Sequence, residues 1–148
     1  MDEVMKQSFS INPIGIVRKD GDEVWIEVFD AYGDGLLGLE GFSHILVFYW
    51  FDQNDTPEKR RALQVHPRKD PRNPLTGVFA THAPVRPNLI ALTRCKIVSI
   101  DANIIRLDDI DALDRSPVID IKCFIPGEPP KPEVRLPDWV DRGCGDKR

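Results

Sequence analysis

Cysteine is scarce. Cys95, Cys123 and Cys144 are odd in number and widely separated in a chain of 148 residues, which excludes a disulfide framework and lacks the paired spacing of a zinc site. Free thiols in a reducing compartment are expected. Long apolar runs are missing too: the longest, residues 45–51, is far short of the roughly 20 residues a membrane helix needs, so no membrane partner is expected. Residues 1–10 are polar and acidic with no apolar core to serve as a targeting segment. A cytoplasmic protein follows as the expectation. There is no excess of positive charge, since 20 basic side chains stand against 24 acidic ones for a net charge of -4. No global field therefore attracts a polyanion, and any nucleic-acid contact has to be local. His44, His66 and His82 show no metal-ligand spacing, so no metal is expected.

What the chain does have is β-pattern. Val24, Ile26 and Val28 alternate with polar neighbours after an Asp20-Gly21 turn signal, which predicts a hairpin with residues 14–17. Residues 42–51 are aromatic and β-branched. Residues 89–100 and 103–107 flank an Asp101-Ala102 turn, and residues 118–124 alternate again. Six or seven strands with one helix predict a mainly β chain, a closed or partly closed β-barrel, because closure removes unpaired edges. The helix is predicted to open at Asp55-Thr56-Pro57-Glu58, with Asp55 as cap, and to run through residues 59–65 until Pro67 and Pro71 end it. Residues 1–148 are expected to form one domain with its core at about 10–126. The stretch 127–148, rich in proline and anchored by Trp139, is expected to lie over it as an extended C-terminal tail.

Several motifs resemble chemistry and lack its context. Gly33-Asp34-Gly35-Leu36-Leu37-Gly38 spells a dinucleotide fingerprint, but a strand-forming run follows where a helix should start, so a glycine loop is expected. Gly41-Phe42-Ser43-His44-Ile45 lacks the closing glycine of a nucleophile elbow, leaving Ser43 and His44 as buried hydrogen-bonding residues at a strand start. Asp108, Asp109, Asp111 and Asp114 lack the ligand order of a calcium loop and read as a solvated acidic turn. Residues 77–88 stand apart, as a strand leading into a loop stiffened by Pro84 and Pro87. There Arg86 offers a fork for a carboxylate or phosphate, and Asn88 offers a donor and an acceptor for an adenine edge. A surface ion pair for Arg86 and a turn cap for Asn88 are the plainer alternatives. Finally, Lys59, Arg60, Arg61, Arg68, Lys69 and Arg72 face only Asp70, six minus one giving a local +5. Arg68, Lys69 and Arg72 are the expected contacts to an RNA backbone, with a solvated basic surface as the alternative.

Three segments are distinctive in combination: Gly38-Leu39-Glu40-Gly41-Phe42-Ser43-His44, then residues 77–92, then Leu113-Asp114-Arg115-Ser116-Pro117-Val118-Ile119-Asp120-Ile121-Lys122. In this order they resemble the TsaA-like (YaeB/TrmO) family of S-adenosylmethionine-dependent tRNA N6-methyltransferases, over roughly residues 10–126. The resemblance implies a β-barrel, bound S-adenosyl-L-methionine, a homodimer, and methylation at N6 of N6-threonylcarbamoyladenosine beside the anticodon of tRNA. Carried over by position, the cofactor site falls on Asp52, Gln53, His82, Leu92, Leu113, Asp114, Arg115 and Ser116. Arg86 and Asn88 belong to the family's most characteristic loop, and with Asp114 they are the expected catalytic residues. The chain departs from the family pattern at His82, where arginine is usual, at Leu89 and Ala91, and at Arg115, where glycine is usual. Longer members also carry an N-terminal proline-rich cofactor loop and a C-terminal extra domain, for which this sequence shows no counterpart.

Methyl transfer from a sulfonium to nitrogen needs alignment and a destination for the departing proton rather than a metal. Asp52 and Asp114 are the candidate carboxylates for the sulfonium, and Arg86 for a carboxylate of cofactor or substrate. The alternative function is a module that senses S-adenosylmethionine or binds RNA without turnover.

Overall fold

Alternating burial shapes the computed structural model, which describes residues 2–127 and 133–141. β1 (Gly15–Asp20) and β2 (Glu23–Val28) form the predicted hairpin, with Gly21 at φ +58°, a left-handed turn position that glycine occupies without strain. They are followed by β3 (His44–Trp50), β6 (Ile90–Asp101), β7 (Ile104–Leu107) and β8 (Pro117–Cys123). These six strands close an antiparallel barrel in the order β1-β2-β7-β6-β3-β8. Two further strands, β4 (Gln64–Val65) and β5 (Thr76–Gly77), make a separate two-stranded sheet.

β6 serves two neighbours. Its first half pairs with β3, from Trp50↔Ile90 to His44↔Lys96, and its second half pairs with β7 from Ile97↔Leu107 onward, with a register shift between Ile97 and Ser99. Such a bulge bends a strand and lets a small sheet close. The closing seam is short, Gly15↔Val118 and Ile16↔Pro117. A Cβ on Gly15 would meet the Glu27 carbonyl oxygen at 2.5 Å, so only glycine lets the strands approach there. Inside, Val17, Ile26, Ile45, Val47, Ile105 and Val118 are fully buried. Ile110 and Ala112, from the turn between β7 and β8, join the same core.

Several expectations need correction. The helix is a single turn, α1 (Pro57–Arg60), and Thr56 caps it: the Thr56 Oγ1 accepts from the Lys59 N–H at 3.3 Å. Asp55 instead accepts from the Trp50 indole and from Arg60. The helix stops because the Leu63 carbonyl takes the Val78 N–H and residues 64–65 pair with β5, a tertiary pairing that outcompetes one weak turn. The run before the two prolines is a two-residue strand followed by a 3-10 turn, Val78–Ala80, rather than a full strand. The turn after β6 is Ala102-Asn103, with Ala102 at φ +49°. Ser43 and His44 do bond each other, at 2.7 Å, but Ser43 is exposed and His44 half-buried. Gly33 to Gly38 carries no helix N-terminus of the fingerprint type; residues Asp30–Leu36 form a 3-10 helix and Gly38 is left-handed at φ +88°.

Of the tail, residues 128–132 and 142–148, including Cys144, lie outside the described residues. Residues 133–137 are exposed, and Asp138–Asp141 form a 3-10 turn in which Trp139 is half-buried and the Val140 carbonyl accepts from Arg68 at 3.1 Å. Cys95 and Cys123 are free thiols, and burial pushes Cys95 up to about 12.

Candidate functional site

At one end of the barrel, where β3 runs out and the turn before β8 begins, lies a cleft of about 230 Å³. One wall is Tyr49, Trp50 and Phe51 with the 3-10 turn Asp52–Asn54; the other is Asp111, Ala112, Leu113 and Ser116; Pro84 closes the side. β3 fixes the first wall by its alternation. Tyr49 is buried among the core side chains, so its neighbour Trp50 is turned to the outer face. Outside, Arg60 lies over the Trp50 ring at 5.6 Å and Lys122 over Phe48 at 6.0 Å. The outer aromatics of β3 are thus partly covered by cations of the same chain.

The second wall is anchored from below. Ile110 and Ala112 are buried, so Asp111 and Leu113 between and beyond them face outward. The Ser116 hydroxyl donates to the Leu113 carbonyl at 2.7 Å and the Arg115 N–H to the Val17 carbonyl at 2.7 Å, closing the turn onto β1. Arg115 sits at φ +70°, a conformation that glycine adopts freely and a side chain does not.

Asp52, Gln53, Leu113 and Ser116, four of the residues expected at a cofactor site, meet in this one cleft although sixty-odd positions separate the pairs. The others do not line it. Asp114 is committed to the hairpin: its Oδ1 accepts the Lys19 N–H at 2.9 Å and lies 3.7 Å from Arg18 Nε. Arg115 is exposed, as is His82 on the loop before Pro84. Leu92 stands on the outer face of β6 opposite Phe48. Arg86 spends its fork on its own loop, donating to the Thr81 and Ala83 carbonyls at 3.2 Å each, while Asn88 is exposed. The stiff loop is tied to the cleft by Asn54, whose amide donates to the Pro84 carbonyl at 3.2 Å, and to α1 by Arg60, which donates to the Pro87 carbonyl at 3.0 Å.

Sequence reasoning missed Tyr49, Trp50, Asn54 and Asp111 as lining residues. Tyr49 has its hydroxyl 3.3 Å from Thr93 Oγ1, and burial raises its pKa, with the Asp111 charge adding to the effect, so it stays protonated at physiological pH. The alternation Ile110-Asp111-Ala112 was the available signal for Asp111. Asp55, just outside, is held below the usual carboxylate range by the Trp50 indole N–H and then by Arg60.

The basic segment is less free than its charge suggests. Arg72 forks onto Asp70, at 2.7 Å for the shortest contact, and Arg68 donates to the Val140 carbonyl. Lys69 is exposed. Arg68 and Lys69 are both left-handed, at φ +59° and +56°. Among the described residues there is no cluster of three or more metal-ligating side chains, and no helix is long and apolar enough to cross a membrane.

A family model described as tRNA-methyltransferase O N-terminal domain matches residues 6–128. A probable S-adenosyl-L-methionine-binding protein of Methanocaldococcus jannaschii is 46% identical over 116 residues, 78% of this chain and 92% of that protein. The mouse tRNA (adenine(37)-N6)-methyltransferase is 36% identical over 98 residues, 66% of this chain and 22% of that enzyme. Among solved structures, TrmO from Pseudomonas aeruginosa superposes with a TM-score of 0.65 at 25% identity, covering 87% of this chain and 62% of that one.

Proposed function

Because this chain belongs to the tRNA-methyltransferase O N-terminal domain family, we propose that its cleft binds S-adenosylmethionine and that the protein methylates N6 of an adenosine in tRNA. The observation that carries the reading is the meeting of Asp52 and Gln53 with Leu113 and Ser116 across one cleft. The lining suits the cofactor. Trp50 and Phe51 offer apolar surface for a base, Gln53, Asn54 and Ser116 offer hydrogen bonds, and Asp52 and Asp111 offer negative charge to a cation.

The cofactor, when bound, supplies a methyl group on a cationic sulfur. The chain's part is to hold donor and acceptor in line, exclude water and receive the N6 proton as the N–CH₃ bond replaces N–H. The finer assignment, N6-threonylcarbamoyladenosine beside the anticodon, rests on the family resemblance and on the mouse relative's name. Arg86 and Asn88 are placed on the stiff loop next to the cleft, where Arg86 can exchange its backbone acceptors for a substrate carboxylate. Arg68, Lys69 and Arg72 would meet RNA phosphates, at the cost of the contacts that Arg68 and Arg72 now make. The proposal includes a homodimer working in the cytoplasm. His82 and Leu92 lie outside the cleft of their own chain, and a second copy is a way for such residues to reach a cofactor.

A second reading, cofactor binding without turnover, is favoured by the names of the archaeal relatives, which state binding alone. Incubation with tRNA lacking the methyl group and with methyl-labelled cofactor, followed by digestion to nucleosides, separates the two. Label in an N6-methylated adenosine is expected; cofactor bound with no label transferred to any tRNA supports the second reading.

A further inference from the structure

Two charged side chains line the cleft, Asp52 and Asp111, and both are negative. Asp111 also lines a neighbouring, more open cleft of about 430 Å³ with Lys19, Thr93, Arg94, Asp108 and Asp109. It therefore stands on the wall that the two spaces share, and Asp52 does not. The other acids of this turn are already engaged. Asp108 accepts the Lys96 and Asp109 N–H groups, Asp109 accepts the Ile110 N–H, and Asp114 accepts the Lys19 N–H beside Arg18. Among the described residues Asp111 makes no such bond, and its backbone is pinned by buried Ile110 and Ala112 on either side. Its charge is felt inside the cleft, where it adds to the rise in the Tyr49 pKa.

We infer that Asp111 is the residue by which the cleft distinguishes the methylated, sulfonium form of the cofactor from the demethylated thioether left after transfer. The inference rests on the reading that this cleft holds S-adenosylmethionine. In-line transfer requires the S–CH₃ bond to point out of the cofactor's cleft toward an acceptor, and the inference places that bond at the opening toward the second cleft, where Asp111 is. With its ammonium and carboxylate balanced, the methylated nucleoside carries one positive charge and the product carries none. A carboxylate at the sulfur therefore holds the reactant and releases the product. For a partly exposed pair the attraction corresponds to about a three- to tenfold preference.

Titration calorimetry with S-adenosylmethionine and S-adenosylhomocysteine on the wild type, Asp111→Asn, Asp111→Glu and Asp52→Asn tests this. Asp111→Asn is expected to weaken S-adenosylmethionine about three- to tenfold while S-adenosylhomocysteine changes less than about twofold. Asp111→Glu should keep the wild-type ratio, and Asp52→Asn should leave the ratio unchanged whatever it does to affinity. If both ligands bind the wild type and Asp111→Asn does not move the ratio, or Asp52→Asn moves it instead, the inference is overturned and the cleft reading stands. If the wild type binds neither ligand, the cleft reading itself fails and takes the inference with it.

Discussion

The barrel and the excursion that leaves it after β3 and returns before β6 are held together by different physics. Each barrel strand buries alternate side chains in one core, whereas between residues 52 and 88 only Pro67, Asn73 and Val78 are buried. The excursion relies on hydrogen bonds instead. The Asn73 side-chain amide donates to the Pro67 carbonyl at 2.9 Å, the His66 ring meets the Asn73 carbonyl at 2.9 Å, and the Val78 N–H donates to the Leu63 carbonyl at 2.9 Å. It also holds two consecutive left-handed residues, Arg68 and Lys69. Apolar area stabilises the first region and local bonding the second, so the excursion is the part that can open without unfolding the whole. The cleft draws on both: Asn54 and Pro84 belong to the excursion, and Tyr49, Ala112 and Ser116 to the barrel and its turn.

Ile45→Ala, in the fully buried core, should give the largest change, a loss of about 3 kcal/mol in one cooperative urea transition with unchanged slope. Thr56→Ala, at the cap of α1, should cost about 1 kcal/mol and show itself as faster amide exchange in the excursion. If Thr56→Ala instead lowers protection evenly through the barrel, the two regions are one unit and the comparison breaks. Arg115→Gly should act in the opposite direction, raising stability by about 1 kcal/mol because the turn needs φ +70°. A lower urea midpoint would mean that the Arg115 side chain contributes more than the strain costs.

The smallest effect expected is at Asp55. Its carboxyl has a lowered folded-state pKa, so its contribution is present above the unfolded value of about 3.8 and is lost as pH falls through the folded value. Acidification should therefore release the Trp50 indole N–H in a titration, followed by the indole resonance, that Asp55→Asn lacks. An indole signal that ignores pH from 6 to about 2 would remove Asp55 from that role.

The same division explains what could be read from the chain. Period-two alternation is a local signal, so the hairpin, the aromatic strand and the closed barrel were legible in Val24-Ile26-Val28 and in residues 42–51. The excursion was not, because its form is decided by distant partners. Residues 64–65 lose their helix to β5, and Asp55 loses the cap to Thr56 because Trp50 and Arg60 claim its carboxylate. At the site, the family resemblance pointed to Asp52, Gln53, Leu113 and Ser116, which the fold brings together. A charge in a sequence says nothing of its partner. Asp114 therefore looked available although Lys19 and Arg18 hold it, and the +5 segment looked free although Arg72 and Arg68 have acceptors within the chain.

The central claim is that the cofactor occupies the cleft at the end of β3, and calorimetry on two variants tests it most directly. Gln53 is exposed and lines the cleft, so Gln53→Trp fills that space without disturbing the core. S-adenosylmethionine binding should fall at least about a hundredfold, near 3 kcal/mol, with the thermal midpoint unchanged. The triple variant Arg68→Glu, Lys69→Glu, Arg72→Glu, in the excursion, should bind it as the wild type does, with or without chelator. Wild-type affinity in Gln53→Trp, or its loss in the triple variant, would contradict the claim and place the cofactor outside this cleft.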